Sequence, residues 1–410
     1  MHIMQGTILE KILKLHSKSK NIAPDEIISV DVDHILIPDN SVVPIFDILE
    51  NHQIKPHHEN IYLALTNFPY QYEFSYSHIQ KKILDLAKKY KFKILDNYKG
   101  LWFYNLLQKN IIEPGNIFLG RASTINFFSP LNNLNISSGM QDIIQAMITS
   151  KHDYLVPEVI HIVLEGHLQQ NISGKDIALY LIKELSSSLM NGHYLLEFSG
   201  SLLEEISAKD LYSLALHHYN MNASSFTFPP LQQINKVMCG VFPDSKVKYA
   251  KEFTFDLTNL SPLVENNGKI LGVKELCDKK IDKVFIGNSI GGTLADMEFL
   301  AKILADKKVK IPCFVTPSSH KILTEAMQKG YMTSILNGGC ILLTPSTGIS
   351  SATNGLIPIE GENIVSTAVN ILSIQVKEIP MEFYTSSIET AINTAITGHL
   401  ATCEEGAVCP

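Results

Sequence analysis

One stretch, residues 283–305, constrains the fold of this chain more than any other. It opens with the apolar run 283–287, continues through a glycine-rich turn and ends in apolar residues at helical spacing, which predicts a strand, a tight loop and a helix. Gly287, Gly291 and Gly292 let backbone N–H groups converge, and the positive end of the helix points at the same place. The pattern predicts an α/β fold with a ligand-binding turn, although such turns also occur as tight connections alone.

The rest of the chain continues the alternation of strand and helix. Apolar runs and alternating patterns predict strands at 27–33, 61–65, 117–119, 159–164, 313–316 and 341–343. Helical spacing predicts helices at 8–13, 45–50, 79–90, 140–148, 175–185 and 320–329. This order is typical of layered α/β domains.

Composition excludes several classes of protein. A chain of 410 residues, with 45% hydrophobic and 18% charged residues, is long enough for two or three globular domains. The net charge of −7 gives no basic field for nucleic acid, and no apolar run has the length of a membrane span. The N-terminus lacks the layout of a signal peptide, so we expect a cytoplasmic protein with neither nucleic-acid nor membrane partners.

Cysteine and arginine usage bears on possible sites. Four of the six cysteines are interpreted as buried free thiols, namely Cys239, Cys277, Cys313 and Cys340. Cys403 and Cys409 lie in a C-terminal tail, residues 402–410, that we expect to be mobile. The tail thiols could do nothing, form a disulfide, bind a metal with His399 or carry a covalent cargo. The only arginine is Arg121. His161 and His167 are interpreted as structural histidines.

The glycine-rich stretch resembles a segment of the large subunit of isopropylmalate dehydratase and of aconitase. In that family the strand and turn read Val-Phe-Ile-Gly-Ser-Cys-Thr-Asn, and the resemblance places Ser289 at the cysteine. Residues 344–350 are similar to the family's Leu-Pro-Gly-Cys-x-x-Cys loop, with Thr347 and Ser350 at the two cysteines. The family's three cysteines hold a [4Fe–4S] cluster, so the resemblance implies that oxygen has replaced sulfur at all three positions.

Other segments resemble the family in the same order along the chain. They are residues 30–50, 64–69, 112–120, 173–177, 192–200 and 395–401. The resemblance implies aconitase-like three-layer α/β/α domains around a central cleft. It divides the chain into domains 1 and 2, two intertwined lobes within 1–230, a linker region at 231–270, domain 3 at 271–401 and the tail 402–410.

The residues that serve the family's chemistry are absent at the matching positions. Leu65 and Thr66 stand where the family has Asp-His, and Ala122 and Thr124 stand where it has an aspartate and a histidine. Neutral hydroxyls are poor ligands for iron–sulfur clusters. A lone Arg121 cannot form the arginine clamp that holds the family's dicarboxylate substrates. We therefore expect no cluster, no other cofactor and no metal.

Three functions remain open. The first is a cluster-free homologue, auxiliary or small-molecule-binding, without hydro-lyase turnover, in hydroxy acid, amino acid or related biosynthesis. The second is a metal-free lyase or isomerase acting on a small polar acid, with Asp39 or Asp142 as general base; the third is a carrier or scaffold that uses Cys403 and Cys409. The residues predicted to line a site for a small polar ligand are Asn288, Ser289, Gly291, Gly292, Thr293, Ser346, Thr347, Ser350, Arg121, Asp39 and Asp142.

The same residues also have purely structural interpretations. The serines and threonines can simply satisfy loop backbone, and Asp142 can interact with a helix dipole. The resemblance also implies a separate small subunit carrying a swivelling domain, or a second copy of this chain, as partner.

Overall fold

The computed structural model describes the chain in eight segments. These are residues 6–19, 21–64, 75–95, 99–190, 192–234, 239–345, 359–369 and 381–402, with backbone alone for 39–40, 75–80 and 123. No helix within these segments is both long and apolar enough to cross a bilayer.

Strands are distributed along the whole described chain. The first ten are β1 (Ile27–Asp31), β2 (His34–Pro38), β3 (Ile61–Ala64), β4 (Lys93–Leu95), β5 (Ile117–Gly120), β6 (Leu134–Ser137), β7 (Lys151–Leu155), β8 (Glu158–Glu165), β9 (Tyr194–Ser199) and β10 (Ala223–Thr227). The others are β11 (Lys251–Asp256), β12 (Leu263–Asn266), β13 (Lys269–Gly272), β14 (Lys283–Gly287), β15 (Cys313–Thr316), β16 (Ile341–Leu342), β17 (Asn363–Ser366) and β18 (Glu382–Ser386).

Helices alternate with the strands. The α-helices are α1 (Ile8–His16), α2 (Asp39–Asn51), α3 (Ser75–Tyr90), α4 (Trp102–Leu107), α5 (Met140–Thr149), α6 (Gly174–Leu185), α7 (Ala208–Ala215), α8 (Leu294–Ile303), α9 (His320–Gln328), α10 (Tyr331–Asn337) and α11 (Ile388–Thr397). Shorter 3-10 helices cover Ser123–Leu131, Ser201–Glu204, His218–Met221 and Val273–Leu276.

The strands form three main sheets. A five-stranded sheet, β4-β3-β2-β5-β6, and a four-stranded sheet, β10-β9-β8-β11, are entirely parallel. A seven-stranded sheet runs β13-β12-β18-β17-β14-β15-β16, in which β12 is antiparallel to both of its neighbours. Strands β1 and β7 form a small antiparallel pair. Parallel sheets need helices on their faces, which is why the sequence alternates as it does.

Side chains alternate between the two faces of a strand, so one strand can contribute to two separate apolar cores. In β2, Ile35 and Ile37 face a core shared with α1, α2, α3 and α5, whereas Leu36 faces the opposite core. That second core is continuous with residues of β14 and of helices α8–α11, so the five- and seven-stranded sheets share one apolar interior. The four-stranded sheet has its own core with α6 and α7. The glycine-rich turn lies where these units meet.

The predicted elements around the turn are confirmed, but the segment predicted to be a linker is not simply a connection. Where residues 231–270 were expected to link domains, β11 extends the four-stranded sheet, and β12 and β13 form a hairpin edge of the seven-stranded sheet. The polar residues Asn266, Asn267 and Gly268 belong to the hairpin turn, where Asn267 and Gly268 have positive φ angles. An Asn-Gly pair with positive φ is typical of a tight hairpin.

Candidate functional site

The turn after β14 lies so close to β15 that no side chain fits at Gly287. Gly287 has a φ of +105°, and a Cβ there would lie 1.9 Å from the carbonyl oxygen of Thr316 in β15. A Cβ at Gly292 would lie 2.4 Å from Ser318 Oγ. Glycine is therefore required for packing at Gly287, independently of any ligand.

Two backbone N–H groups at the start of the turn are hydrogen-bonded inside the protein. The N–H of Gly287 donates to Thr367 Oγ1 at 2.9 Å, and that hydroxyl donates to the carbonyl of Ile290 at 2.7 Å. The N–H of Asn288 donates to the carbonyl of Thr316 at 3.2 Å. These N–H groups, which a phosphate-binding turn would offer to its ligand, are therefore taken by the chain itself.

The start of α8 also holds a negative charge supplied by the chain. Thr293 caps the helix: its N–H and Oγ1 donate to the carboxylate of Asp296 at 2.9 and 2.7 Å, and the N–H of Asp296 donates back to Thr293 Oγ1. A carboxylate at this position interacts favourably with the helix dipole. The carboxylate of Asp296 thus already occupies the position at the positive end of α8 where an anionic ligand would bind.

Lys209, from α7, lies against this carboxylate. Its Nζ is 3.2 Å from Asp296, 3.7 Å from Glu389 of α11 and 4.0 Å from Asp210. Burial alone would lower the pKa of Lys209, but the three carboxylates raise it above the usual lysine value. Burial raises the pKa of Glu389 to about 8, although Lys209 opposes this. Lys209 is therefore charged at neutral pH, whereas Glu389 is mostly protonated.

These residues leave a small polar cavity of about 20 Å³ beside the turn. Its lining comes from four helices and the turn: Tyr104, Ser173, Lys209, Asp210, Ser213, Ser289, Ile290, Gly291, Thr293, Asp296 and Ile388. Such a volume has room for about one water molecule. The Tyr104 hydroxyl closes one side by donating to the carbonyl of Ser289 at 3.3 Å.

The predicted site residues divide into three groups. Ser289, Gly291 and Thr293 line the cavity, and Asn288 and Gly292 belong to the same turn. Outside that lining, Arg121 is exposed after β5, Asp39 is the first residue of α2, and Asp142 accepts hydrogen bonds from Ser138 Oγ and the N–H of Gly139, capping α5. Ser346, Thr347, Ser350, Cys403 and Cys409 lie outside the described residues.

Sequence patterns pointed to the turn but missed the charges beside it. A partial signal existed for Asp296, because Thr293 and Asp296 have the spacing of a capping pair, and Ser173 and Asp176 have the same spacing before α6. No local pattern indicated Lys209, because its carboxylate partners Asp296 and Glu389 come from distant parts of the chain.

The described residues that line the cavity beside the turn include no cysteine. Within the described segments no group of three or more His, Cys, Asp or Glu side chains is arranged to hold a metal ion. Cys313 begins β15, at the end of that strand opposite to the glycine turn, because Val284 pairs with Cys313 whereas Gly287 pairs with Thr316. The resemblance places Ser289, Thr347 and Ser350 at the three thiolate positions, and hydroxyls lack the soft sulfur that such clusters need, so the absence of a cluster stays a prediction.

The interpretation of the cysteines as buried thiols is confirmed for two of four. Cys313 and Cys340 are buried, Cys277 is half-buried and Cys239 is exposed. A hydrogen bond with Cys340 raises the pKa of the Cys313 thiol, and burial raises it further. Neither buried thiol is part of the cavity lining beside the turn.

Comparisons with known proteins agree with the residue pattern. The model of the aconitase family (aconitate hydratase) matches residues 10–236. The 3-isopropylmalate dehydratase large subunit of Saccharolobus solfataricus is 29% identical over 96% of this chain and 97% of its own length. The homoaconitase large subunit of Thermus thermophilus is 25% identical over 98% of each chain.

A solved structure shows the same architecture. Aconitase X of Thermococcus kodakaraensis, in its holo-form, matches with a TM-score of 0.54 at 13% identity, covering 91% of this chain and 94% of that protein. The predicted aconitase-like α/β fold is therefore confirmed. At this identity the match bears on the fold alone.

Proposed function

Because the chain belongs to the aconitase family, we propose that it is a cluster-free member without hydro-lyase turnover, which acts as an auxiliary subunit in the metabolism of small hydroxy or amino acids. The observation that carries the proposal is the Lys209–Asp296 ion pair, which stands beside Ser289 and leaves a cavity of about 20 Å³. The space enclosed by the described residues holds about one water molecule, which is far less than a hydroxy acid of several carbons needs.

The charges beside the turn also disfavour the family's type of substrate. One ammonium group, Lys209, faces the carboxyls of Asp296, Asp210 and Glu389. A bound dicarboxylate would add negative charge to a cluster that already has more acids than bases, and repulsion at low dielectric is costly. Arg121, the single guanidinium of the chain, is not among the residues that line the cavity.

An auxiliary role agrees with the names and coverage of the relatives. Both curated relatives are named large subunits, and the match covers 97% and 98% of their lengths. We infer that this chain, like a large subunit, associates with a separate smaller chain or with a second copy of itself. Its contribution would then be the folded framework rather than the iron chemistry.

Anaerobic reconstitution tests the absence of the cluster. The full chain is incubated with iron and sulfide, desalted and examined by visible spectroscopy. We expect a colourless protein without the broad absorption of a thiolate-bound cluster, because Ser289, Thr347 and Ser350 offer oxygen only. A brown wild-type protein with stoichiometric iron would contradict the proposal.

The control restores sulfur at the three positions. The triple variant Ser289→Cys, Thr347→Cys, Ser350→Cys is treated identically and is expected to take up more iron and sulfide than wild type. Equal uptake by both proteins would mean that the three positions do not govern cluster binding, and the proposal would fail on that point too.

A further inference from the structure

A second group of polar side chains lies on the four-stranded parallel sheet, in different strands from the glycine turn. Three neighbouring strands place them side by side: His161 of β8 is paired in register with Glu252 of β11 and with Glu197 of β9. Because side chains alternate along a strand, Ser199 lies on the same face as Glu197. The opposite face carries Ile160, Ile162 and Phe198, which belong to the core beneath α6 and α7.

Glu252, His161 and Ser199 are joined by two consecutive hydrogen bonds. His161 Nδ1 is 2.6 Å from Glu252 Oε2, and His161 Nε2 is 2.7 Å from Ser199 Oγ. A carboxylate oxygen can only accept, so Nδ1 carries the proton and donates to Glu252. In the neutral form of the ring, the lone pair of Nε2 then faces the hydroxyl of Ser199. This is the order of groups, acid to Nδ1 and nucleophile to Nε2, that activates a serine.

Tyr249 fixes the plane of the imidazole. Its ring stacks on that of His161 with centroids 4.3 Å apart and planes 17° from parallel. Its hydroxyl donates to Oε1 of Glu197 at 2.7 Å, and Oε2 of Glu197 accepts the N–H of Ile8 at 2.8 Å. The His161 side chain is 15% exposed. The histidine is thus held between a stacked ring and two hydrogen bonds, as a general base must be.

Ser199 also borders a cavity of about 560 Å³. The cavity lies where β9 and β10 end, the edge of a parallel sheet at which small molecules commonly bind. Its volume is in the range of ligand pockets. Leu203, Leu231 and Phe242 provide apolar surface, and Gln232 and Gln233 provide amides. The described lining contains Glu204 but neither lysine nor arginine, which favours uncharged over anionic ligands.

We propose that Ser199, His161 and Glu252 form a serine–histidine–carboxylate triad that cleaves small uncharged esters bound in this cavity. Ser199 Oγ bonds to the acyl carbon while its proton passes to His161 Nε2. The bond from the acyl carbon to the alkoxy oxygen then breaks, and the leaving alcohol takes that proton. Water attacks the acyl-serine and gives a proton to Nε2; the acyl–Oγ bond breaks, the proton returns to Oγ, and a carboxylic acid leaves.

Labelling with a fluorophosphonate probe, followed by peptide mass spectrometry, tests the nucleophile. The wild-type chain should be modified on Ser199 and should hydrolyse p-nitrophenyl acetate. Ser199→Ala should lose both properties. Glu252→Gln should lower kcat/KM on the order of 10²- to 10⁴-fold, since the histidine then loses its orienting carboxylate. Unlabelled wild-type protein that hydrolyses the ester no faster than Ser199→Ala would overturn the proposal.

Ser201 supplies the matched control. It lies two residues further along and donates to the carboxylate of Glu165, and no described histidine is hydrogen-bonded to it. Ser201→Ala should melt at the same temperature as Ser199→Ala and retain labelling and turnover. If Ser201→Ala loses activity as fully as Ser199→Ala does, the triad is refuted. Neither result bears on the iron–sulfur question, because no residue of the triad lines the cavity beside the glycine turn.

Discussion

The ammonium of Lys209 lies among the carboxyl groups of Asp210, Asp296 and Glu389 beside the glycine turn. The side chains of Asp296 and Glu389 are only 3% and 10% exposed; Glu389 is mostly protonated at neutral pH, whereas Asp296 could not be tolerated there as an unpaired charge. Lys209 gives Asp296 a cationic neighbour and is itself kept protonated by the carboxylates around it. The turn region therefore depends on one residue for its electrostatic balance.

Lys209→Met should consequently destabilise the protein by about 3 kcal/mol, the lower end of the range for removing one partner from a buried pair. Urea unfolding at neutral pH measures the change. Lys302→Met is the control, because Lys302 forms an ion pair of 2.7 Å with Glu298 but is 73% exposed, so its loss should cost about 0.5 kcal/mol or less. Adding Asp296→Asn to Lys209→Met should recover part of the loss; further destabilisation would contradict the pairing.

At the scale of elements, the short segment after α7 carries two buried histidines. His217 donates from Nδ1 to the carbonyl of Ser213 at 2.8 Å, and the ring of His218 packs edge-on against Phe226. Burial lowers the pKa of His217 from 6.5 to about 3 and that of His218 to about 4. Both rings are neutral in the folded protein at neutral pH.

The pKa values of His217 and His218 predict how stability depends on pH. Since their folded pKa values lie below 6.5, the unfolded chain binds more protons between about pH 6.5 and 4, and stability falls as the pH falls through this window. Each histidine contributes a slope of at most about 1.4 kcal/mol per pH unit. His218→Phe should flatten the dependence measured by urea unfolding at several pH values.

His167 provides the contrasting variant for this experiment. Its side chain is 79% exposed, and the hydrogen bond that its ring donates to the Glu205 carboxylate raises its pKa rather than lowering it. His167→Gln should leave the loss of stability in acid as steep as in wild type. An equal flattening by His167→Gln would mean that burial of His217 and His218 is not the cause.

Elements with a clear period were predictable from sequence, whereas β9, whose period is interrupted by a buried polar residue, was not. Strand β14, its turn and α8 combine an apolar run, glycines and a capping pair, so local chemistry specifies them. Strand β9 was missed because Glu197 interrupts its apolar run, although the carboxyl is buried and hydrogen-bonded. Pairings such as Lys209 with Asp296, or His161 with Glu252, join residues far apart in sequence and have no local signature.

At the scale of the whole molecule, Lys175 connects two lobes, here the four-stranded sheet and the seven-stranded sheet, each with its packed helices. It lies in the first turn of α6, beside the four-stranded sheet, and is fully buried. Its Nζ donates to the carbonyls of Thr367 and Ala368 at 3.1 and 2.7 Å, just after β17 of the seven-stranded sheet. The neighbouring Asp176 accepts the N–H of Leu263, at the start of β12. These hydrogen bonds between the lobes thus stabilise the region in which the glycine turn lies.

Lys175→Met should therefore weaken the coupling between the lobes. The substitution keeps an apolar stem but leaves two buried carbonyls without their donor, at a cost of about 1–3 kcal/mol for each. Calorimetry should show one transition for wild type and a broadened or split transition for Lys175→Met. Lys183→Met, an exposed position of the same helix, should melt as wild type does. A single unshifted transition in Lys175→Met would show that the lobes are held together by apolar packing alone.

The titration of Lys175 gives a second signature of the same contact. Burial lowers its pKa from 10.5 to about 7, so between these pH values the unfolded chain binds a proton that the folded chain does not. The contribution of Lys175 to stability consequently rises as the pH increases from about 7 to 10.5, and it should be absent in Lys175→Met. Urea unfolding of the two proteins across this range measures the difference. A difference that stays constant with pH would mean that Lys175 is solvated and charged, and that the two lobes open at this contact.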